Sequence, residues 1–311
     1  MTHILGNDSE LSRTRGTLKA RSIDHEFWHE DVGELLRVRD GFQLRGVDPY
    51  ATPGTESDEV SGLAEVDHVT HQMRHLQERL YARSCAGSQD RVLVVLQAMD
   101  AAGKGGLVNH VFGGLEPYGL ELTAFKAPTE EERAHDFLWR VEPHVPAPGS
   151  IGLFDRSHYE DVLVQRVHRY APPEEIERRY TAINDFERRM ADDGVRIIKI
   201  MLHISPEEQF RRLAARLDTP HKYWKYSPSD TSERSFWNEH MTAFQIAIER
   251  TNKPHAPWHV VPANEKWYAR AAVQRIVLTE LEKLELTWPQ AEYDVAHEIK
   301  RLDATRELRW P

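Results

Sequence analysis

One segment leaves this chain little freedom of fold. Residues 91–115, RVLVVLQAMDAAGKGGLVNHVFGGL, open on an unbroken apolar run, Val92 to Leu96, rich in β-branched residues. A run that short and that uniformly apolar reads as a strand buried on both faces, which demands covering layers above and below it. A turn of small residues follows, Asp100-Ala101-Ala102-Gly103-Lys104-Gly105-Gly106, and behind it Val108, Val111, Phe112 and Leu115 recur at helical spacing. In a strand, glycine-rich turn and helix of this kind, a Gly-Lys pair cradles phosphate. The N–H groups of the turn and of the helix N-terminus face an anion, and Lys104 reaches the next phosphate. The spacing departs twice from G-x-x-x-x-G-K-[ST]. Ala98 replaces the first glycine, and Gly105 replaces the hydroxyl residue that would hold Mg²⁺. Asp100, inside the turn, is then the nearest hard oxygen ligand. The plain alternative is a tight turn that binds nothing.

Further strands are expected at 120–125, 151–154, 195–204 and 259–262, separated by stretches with helix signals. Thr129 with Glu132 forms a capping box before Phe137, Leu138 and Val141. Pro172-Pro173 precedes Ile176, Tyr180, Ile183, Phe186 and Met190, and Ser205-Pro206 with Glu208 precedes Phe210, Leu213 and Leu217. Glu65 to Tyr81 and Lys266 to Leu284 also read as helices. This alternation predicts an α/β fold with a parallel sheet of about five strands between helical layers. Ligands gather beyond the carboxyl ends of such strands. Residues 1–65 carry turn signals and little periodicity, and are expected to form an extension wrapped on the core or partly mobile. The main α/β domain is expected over 66–287, and a helical tail able to cover a subunit contact over 288–311.

A chain of 311 residues can bury a large core, and 40% hydrophobic with 29% charged residues is ordinary for a soluble protein. No apolar run is long enough to cross a membrane, the N-terminus lacks an apolar signal core, and the single cysteine, Cys85, fits a reducing cytoplasm. The net charge of −10 argues against a general nucleic-acid surface and allows a polyanion only through a local basic channel. His68, His71 and His75 share one helix at a spacing that can collect a transition metal, but nothing in the sequence completes the ligand set; a polar helix face is the plainer reading.

The strand at 151–154 runs into Asp155-Arg156-Ser157-His158-Tyr159. A strand-end aspartate beside a phosphate cradle pairs with Asp100 as a second metal ligand, and Arg156 can fork onto a phosphate. Ser157 and His158, being adjacent, do not make a nucleophile and base. From Arg211 to Asp230 there are five basic and two acidic residues, in a helix that breaks into a Pro-containing aromatic segment. This local charge reversal points to a helical lid over the phosphate site, at about 206–252.

With these pieces in place the chain resembles the polyphosphate kinase 2 family. The resemblance is carried by LQAMDAAGKGG (96–106), FKAPT (125–129), FLWR (137–140), GLFDRSHYEDVL (152–163), YWKYSPSD (223–230) and HAPWHVVPANEKWYAR (255–270), in the family's order. It implies a three-layer P-loop kinase-like fold and transfer of the terminal phosphate of inorganic polyphosphate to AMP or ADP. It also implies Mg²⁺, with Mn²⁺ as an alternative, held by Asp100 and Asp155. The wording is similar to the branch accepting AMP as well as ADP, although Asp155 stands where that branch carries asparagine. Guanine nucleotides are alternative acceptors, and a homo-oligomer is implied by the family alone. Asp100, Lys104, Asp155 and Arg156 would be the catalytic set. Ala102, Gly103, Gly105 and Gly106 would cradle phosphate, and the family pattern includes Lys126 and Arg140. Arg166, Arg212, Lys222 and Lys225 are channel or lid candidates, and Tyr159 or Trp224 could stack on a base or fill the core. Two other readings compete: an ATP-dependent nucleoside or nucleotide kinase, and a non-catalytic nucleotide-binding regulator.

Overall fold

The structure is a computed structural model in which residues 27–306 are described. Its elements, in chain order, are α1 (Val32–Leu36), α2 (Glu59–Cys85), β1 (Arg91–Ala98), α3 (Lys104–Leu107), β2 (Leu120–Ala124), α4 (Glu130–Ala134), β3 (Ile151–Asp155), α5 (Glu160–Val167), α6 (Pro173–Asp192), β4 (Val195–His203), α7 (Pro206–Leu217), α8 (Pro228–Arg234), α9 (Trp237–Thr251), β5 (Trp258–Pro262), α10 (Lys266–Glu282) and α11 (Val295–Asp303). The five strands form one sheet, β2-β3-β1-β4-β5, with every pairing parallel.

The apolar run of β1 sits in the middle of that sheet. Successive side chains alternate between its faces: Val92, Val94 and Leu96 join the layer built by α1, α2 and α10, while Leu93 and Val95 join the layer of α5, α6 and α9. β4 divides in the same way, Ile198, Ile200 and Leu202 to one side and Ile197 and Met201 to the other. A strand with two buried faces has no room for polar alternation, which is why β1 reads as a continuous apolar run. The three layers follow.

Helix α2 runs further than its expected stripe and crosses the boundary expected at 65. It starts at Asp58, whose carboxylate accepts from the Ser61 N–H. Ahead of it, residues 27–58 do wrap the core. Trp28, Val32, Leu36, Val38 and Leu44 are buried, and the Val38 N–H donates to the Trp258 carbonyl at 2.8 Å. Arg37 and His259 form an antiparallel bridge there, so this segment covers the outer edge of β5. The same expectation for residues 1–26 lies outside the described residues.

Two expected helices are shorter. The capping box at Thr129 forms, with both reciprocal bonds, but α4 stops after five residues. The Asp136 carboxylate accepts from the Leu138 N–H at 3.1 Å, a local bond that competes with helical pairing, and Phe137, Leu138 and Val141 are buried through a turn instead. Behind the glycine turn only Lys104–Leu107 is α-helical, and Val108–Phe112 widen into a π turn. At the other end, α9 buries Ala243, Phe244, Ala247 and Ile248 against α5 and α6. It is therefore core, and the exposed part of the stretch expected as lid runs from the end of α7 through α8. Among the described residues no helix is long and apolar enough to cross a membrane.

Candidate active site

The carboxyl ends of β1 and β3 lie side by side, with Leu96 paired to Asp155. Beyond them opens a cavity of about 870 Å³ floored by the glycine turn and walled by α7, α10 and the exposed segment at 222–230. The turn is built by its small residues. Gly103 sits at φ 109°, in the left-handed region that glycine favours, and its carbonyl accepts from the Leu107 N–H at 2.9 Å to start α3. Ala101 adopts φ 63° and Arg156 φ 64°, both unusual for residues with a side chain. A side chain added at Gly105 would meet nothing within 4 Å, so this face of the cradle is open.

Arg156 ties the two strand ends together. Its backbone N–H donates to the Leu96 carbonyl at 3.1 Å and its Nη2 to Asp100 Oδ1 at 2.7 Å. Burial alone would lower its pKa, but the carboxylates of Glu160, Asp100 and Asp155 outweigh that and raise it. Lys104 goes the other way. Desolvation lowers its pKa, helped by the Arg156 charge and opposed by Asp155, Asp100 and Glu160. The strand-end carboxylates thus share one electrostatic environment with both cations. Asp155 Oδ1 is buried without a hydrogen-bond partner. An orphaned carboxylate oxygen near a second carboxylate is an oxygen donor set that suits a hard divalent cation, held by one or two carboxylates and completed by phosphates and water.

The turn is braced from behind by α7. Gln209 Nε2 donates to the Asp100 carbonyl at 3.0 Å. Arg212 Nη1 donates to the carbonyls of Ala102 (2.6 Å) and Ala101 (3.3 Å), and its Nη2 to those of Ala263 (2.6 Å) and Asn264 (3.0 Å). Arg212 was expected as a channel cation. It is instead a buried strut whose Nη donors are occupied by backbone carbonyls and whose Nε donates to the Glu208 carboxylate, although it does line the cavity.

Of the other expected residues, Ala102, Gly103, Gly105, Gly106, Lys222 and Lys225 line the cavity, as does Trp224, with Lys225 Nζ 5.0 Å from its ring centroid. Four do not. Tyr159 is fully buried, its hydroxyl donating to Glu187 and accepting from Lys199 at 2.9 Å, so it belongs to the core rather than to a base. Arg140 is buried under Phe125, its Nη1 donating to the Lys126 carbonyl at 2.8 Å. It props the Lys126 backbone, and the Lys126 side chain is exposed outside the cavity lining. Arg166 points to Glu177, 3.9 Å away. His68, His71 and His75 are exposed on α2, on its solvated face.

Four further cations line the cavity: Arg211 and Arg216 on α7, counted in the basic stretch but not singled out, and Lys266 and Arg270, one turn apart at the start of α10. Desolvation and repulsion from Arg212, Arg211 and Arg270 lower the Lys266 pKa, and desolvation and Arg212 lower that of Arg270. The lining therefore holds nine cationic side chains (Lys104, Arg156, Arg211, Arg212, Arg216, Lys222, Lys225, Lys266, Arg270) against three acidic ones (Asp100, Asp155, Asp230). Crowded cations that depress one another's pKa are a site preorganised for a multiply charged anion. The spacing of Lys266 and Arg270 was the signal available for two of them.

Comparison with known proteins agrees with this geometry. Residues 57–288 match the family model described as Polyphosphate kinase 2 (PPK2). The chain is 43% identical over 251 residues to an AMP/ADP-polyphosphate phosphotransferase of Meiothermus ruber, covering 81% of this chain and 92% of the relative. It is 38% identical over 271 residues to an ADP-polyphosphate phosphotransferase of Rhodopseudomonas palustris, covering 83% and 91%. The crystal structure of polyphosphate kinase 2 from Arthrobacter aurescens TC1 superposes with a TM-score of 0.88 at 52% identity, covering 89% of this chain and 98% of that one.

Proposed function

The chain belongs to the polyphosphate kinase 2 family, and on that footing we propose that it transfers the terminal phosphate of inorganic polyphosphate to AMP or ADP at the cavity above the glycine turn. The observation that carries this reading is the reversal of charge: nine cations against three carboxylates line one cavity of a chain whose net charge is −10. A mononucleotide alone needs fewer. The similarity to the M. ruber and R. palustris relatives supports AMP and ADP as acceptors.

An acceptor phosphate oxygen is already an anion, so the reaction requires no strong general base. Its barrier is the repulsion between two polyanions and the charge spread over the moving phosphoryl group. The turn N–H groups and Lys104 hold the donor phosphates, and Arg156 forks onto the transferred group from the opposite strand end. Lys222, Lys225, Lys266 and Arg270 keep the chain of phosphates in line. Trp224, exposed beside Lys225, offers a face for the acceptor's base, and the segment from 218 to 234 closes as lid. Asp100 and Asp155 would hold Mg²⁺, or Mn²⁺ in its place, which would neutralise the charge of the phosphates.

The test offers AMP and ADP separately with Mg²⁺ and polyphosphate and identifies the products. ADP and ATP are expected. Turnover only with ATP as donor would restore the nucleoside or nucleotide kinase reading, and tight binding without turnover the regulator. Lys104→Ala should lose roughly 10²–10³-fold in kcat at unchanged melting temperature; near-normal turnover would remove Lys104 from the chemistry.

A further inference from the structure

On the side of the sheet away from the α2 layer, three helices bring together side chains that the transfer reaction does not use. His168 closes α5, Glu233 lies in the last turn of α8, and His240 lies in the first turns of α9. The Nε2 atoms of His168 and His240 stand 3.0 Å and 2.9 Å from the same oxygen, Oε2 of Glu233. All three ligand atoms fall within 4.8 Å of one another. Among the described residues no other trio of histidine, cysteine or carboxylate side chains is drawn together in this way.

The surroundings resemble those of a bound ion. His240 is 9% and His168 15% exposed, and Glu233 at 28% leaves a path to solvent. The His168 ring stacks on Tyr170, with centroids 5.2 Å apart, and meets the edge of Phe236 at 4.9 Å, which fixes its orientation. Metal bonds of about 2.0–2.1 Å in a tetrahedron place ligand atoms about 3.3 Å apart. The two histidine–glutamate separations need to open by only a few tenths of an ångström, and the two imidazole nitrogens already lie within 4.8 Å of each other. Two imidazoles and one carboxylate suit zinc-class ions, whereas Mg²⁺ prefers oxygen.

We propose that His168, Glu233 and His240 form a divalent metal site of the zinc class, separate from the carboxylates of the phosphate cradle, with water in the fourth position. The site joins α8 to α5 and α9. Asp230, one turn before Glu233, lines the cationic cavity and pairs with Arg216 at 3.2 Å. Lys222, Trp224 and Lys225 lead directly into α8. An ion at Glu233 therefore fastens the trailing end of the exposed segment to the core while leaving its leading end free.

The experiment titrates chelator-stripped full-length protein with Zn²⁺ in excess Mg²⁺, against a chromophoric chelator. About one ion per chain is expected to bind and to raise the melting temperature by several degrees, and Co²⁺ in its place should give the ligand-field absorption of tetrahedral nitrogen and oxygen coordination. Glu233→Gln keeps a hydrogen-bonding side chain of the same shape and should lose roughly a hundredfold in affinity, as should His168→Ala. The combined His68→Ala, His71→Ala, His75→Ala variant should bind as the parent does. No Zn²⁺ uptake by the parent chain overturns the site and leaves a hydrogen-bonded triad. Equal uptake by Glu233→Gln, or loss in the α2 variant, places the ion elsewhere and overturns it as well.

Discussion

Arg156 and Ala101 occupy the left-handed region at φ 64° and 63°, one at each of the two strand ends that meet at the cavity. Such a conformation costs about 1–3 kcal/mol for a residue with a side chain, so the surrounding structure has to hold it. At Arg156 it turns the guanidinium back across β1 to Asp100 instead of letting it follow the strand. The missed cations matter at the same scale. Lys266 and Arg270 are partly desolvated and repelled by Arg212, a cost that a bound polyanion would remove. Replacing both with alanine is expected to raise the KM for polyphosphate about tenfold or more while changing that for the nucleotide little. The salt dependence of polyphosphate binding should weaken as well, because fewer ions are displaced. Steady-state kinetics with each substrate varied in turn reads this, and an equal rise in both KM values would count against a donor channel.

Between elements, the turn built by its own small residues is braced by α7. Arg212 holds four carbonyls from the loops after β1 and β5, and Gln209 a fifth. Truncating the guanidinium leaves buried acceptors without donors, at about 1–3 kcal/mol each where water cannot enter. Arg212→Ala is expected to lower the unfolding free energy by at least about 3 kcal/mol and to lower kcat beyond what the stability loss explains. Arg212→Lys should not restore either, since a point charge cannot fork between carbonyls on two loops. Denaturant melts and single-turnover rates on both variants check this; recovery in Arg212→Lys would mean that charge alone matters there. Elsewhere the layers are held by close approach. A side chain at Gly62 of α2 would collide with the Trp267 ring of α10, so glycine sets how near the two helices lie. On the opposite face Lys199 of β4, fully buried, donates to Glu187 of α6 at 2.7 Å and to the Thr251 carbonyl at the end of α9 at 2.7 Å.

For the whole molecule, two buried histidines weaken the fold in mild acid. Desolvation lowers the pKa of His203, at the end of β4, to about 4 and that of His259, in β5, to about 4 as well. Both would titrate near 6.5 in the unfolded chain. Between those values the unfolded state binds protons that the folded state refuses, so these two histidines cost stability as pH drops from 6.5 toward 4, and their own contribution levels off below. At about 1.4 kcal/mol per unit, each histidine contributes up to about 3 kcal/mol of this loss. Urea melts across that range measure it, and His259→Gln should flatten the slope by close to half. A slope unchanged by that substitution would assign the acid sensitivity to other groups.

What the amino-acid order determined by itself was local and periodic. The buried runs at 92–96 and 197–202, the glycine turn, the caps at Thr129 and Ser205 and the strand-end aspartate were legible because each is decided by neighbours a few residues away. The three-layer sheet and the cradle followed from them. What only the tertiary structure decided was where each long basic or aromatic side chain ends up. Arg140, Arg166 and Arg212 looked like ligand contacts and became struts, Tyr159 took the core place of its two alternatives, and Lys266 and Arg270, read only as part of a closing helix, became cavity wall. A side chain spanning several ångströms from a fixed Cα can turn to solvent, to a carbonyl or to a ligand. The choice depends on which distant segment the fold brings within its reach, and residues 100, 212 and 263 meet only once the sheet has closed.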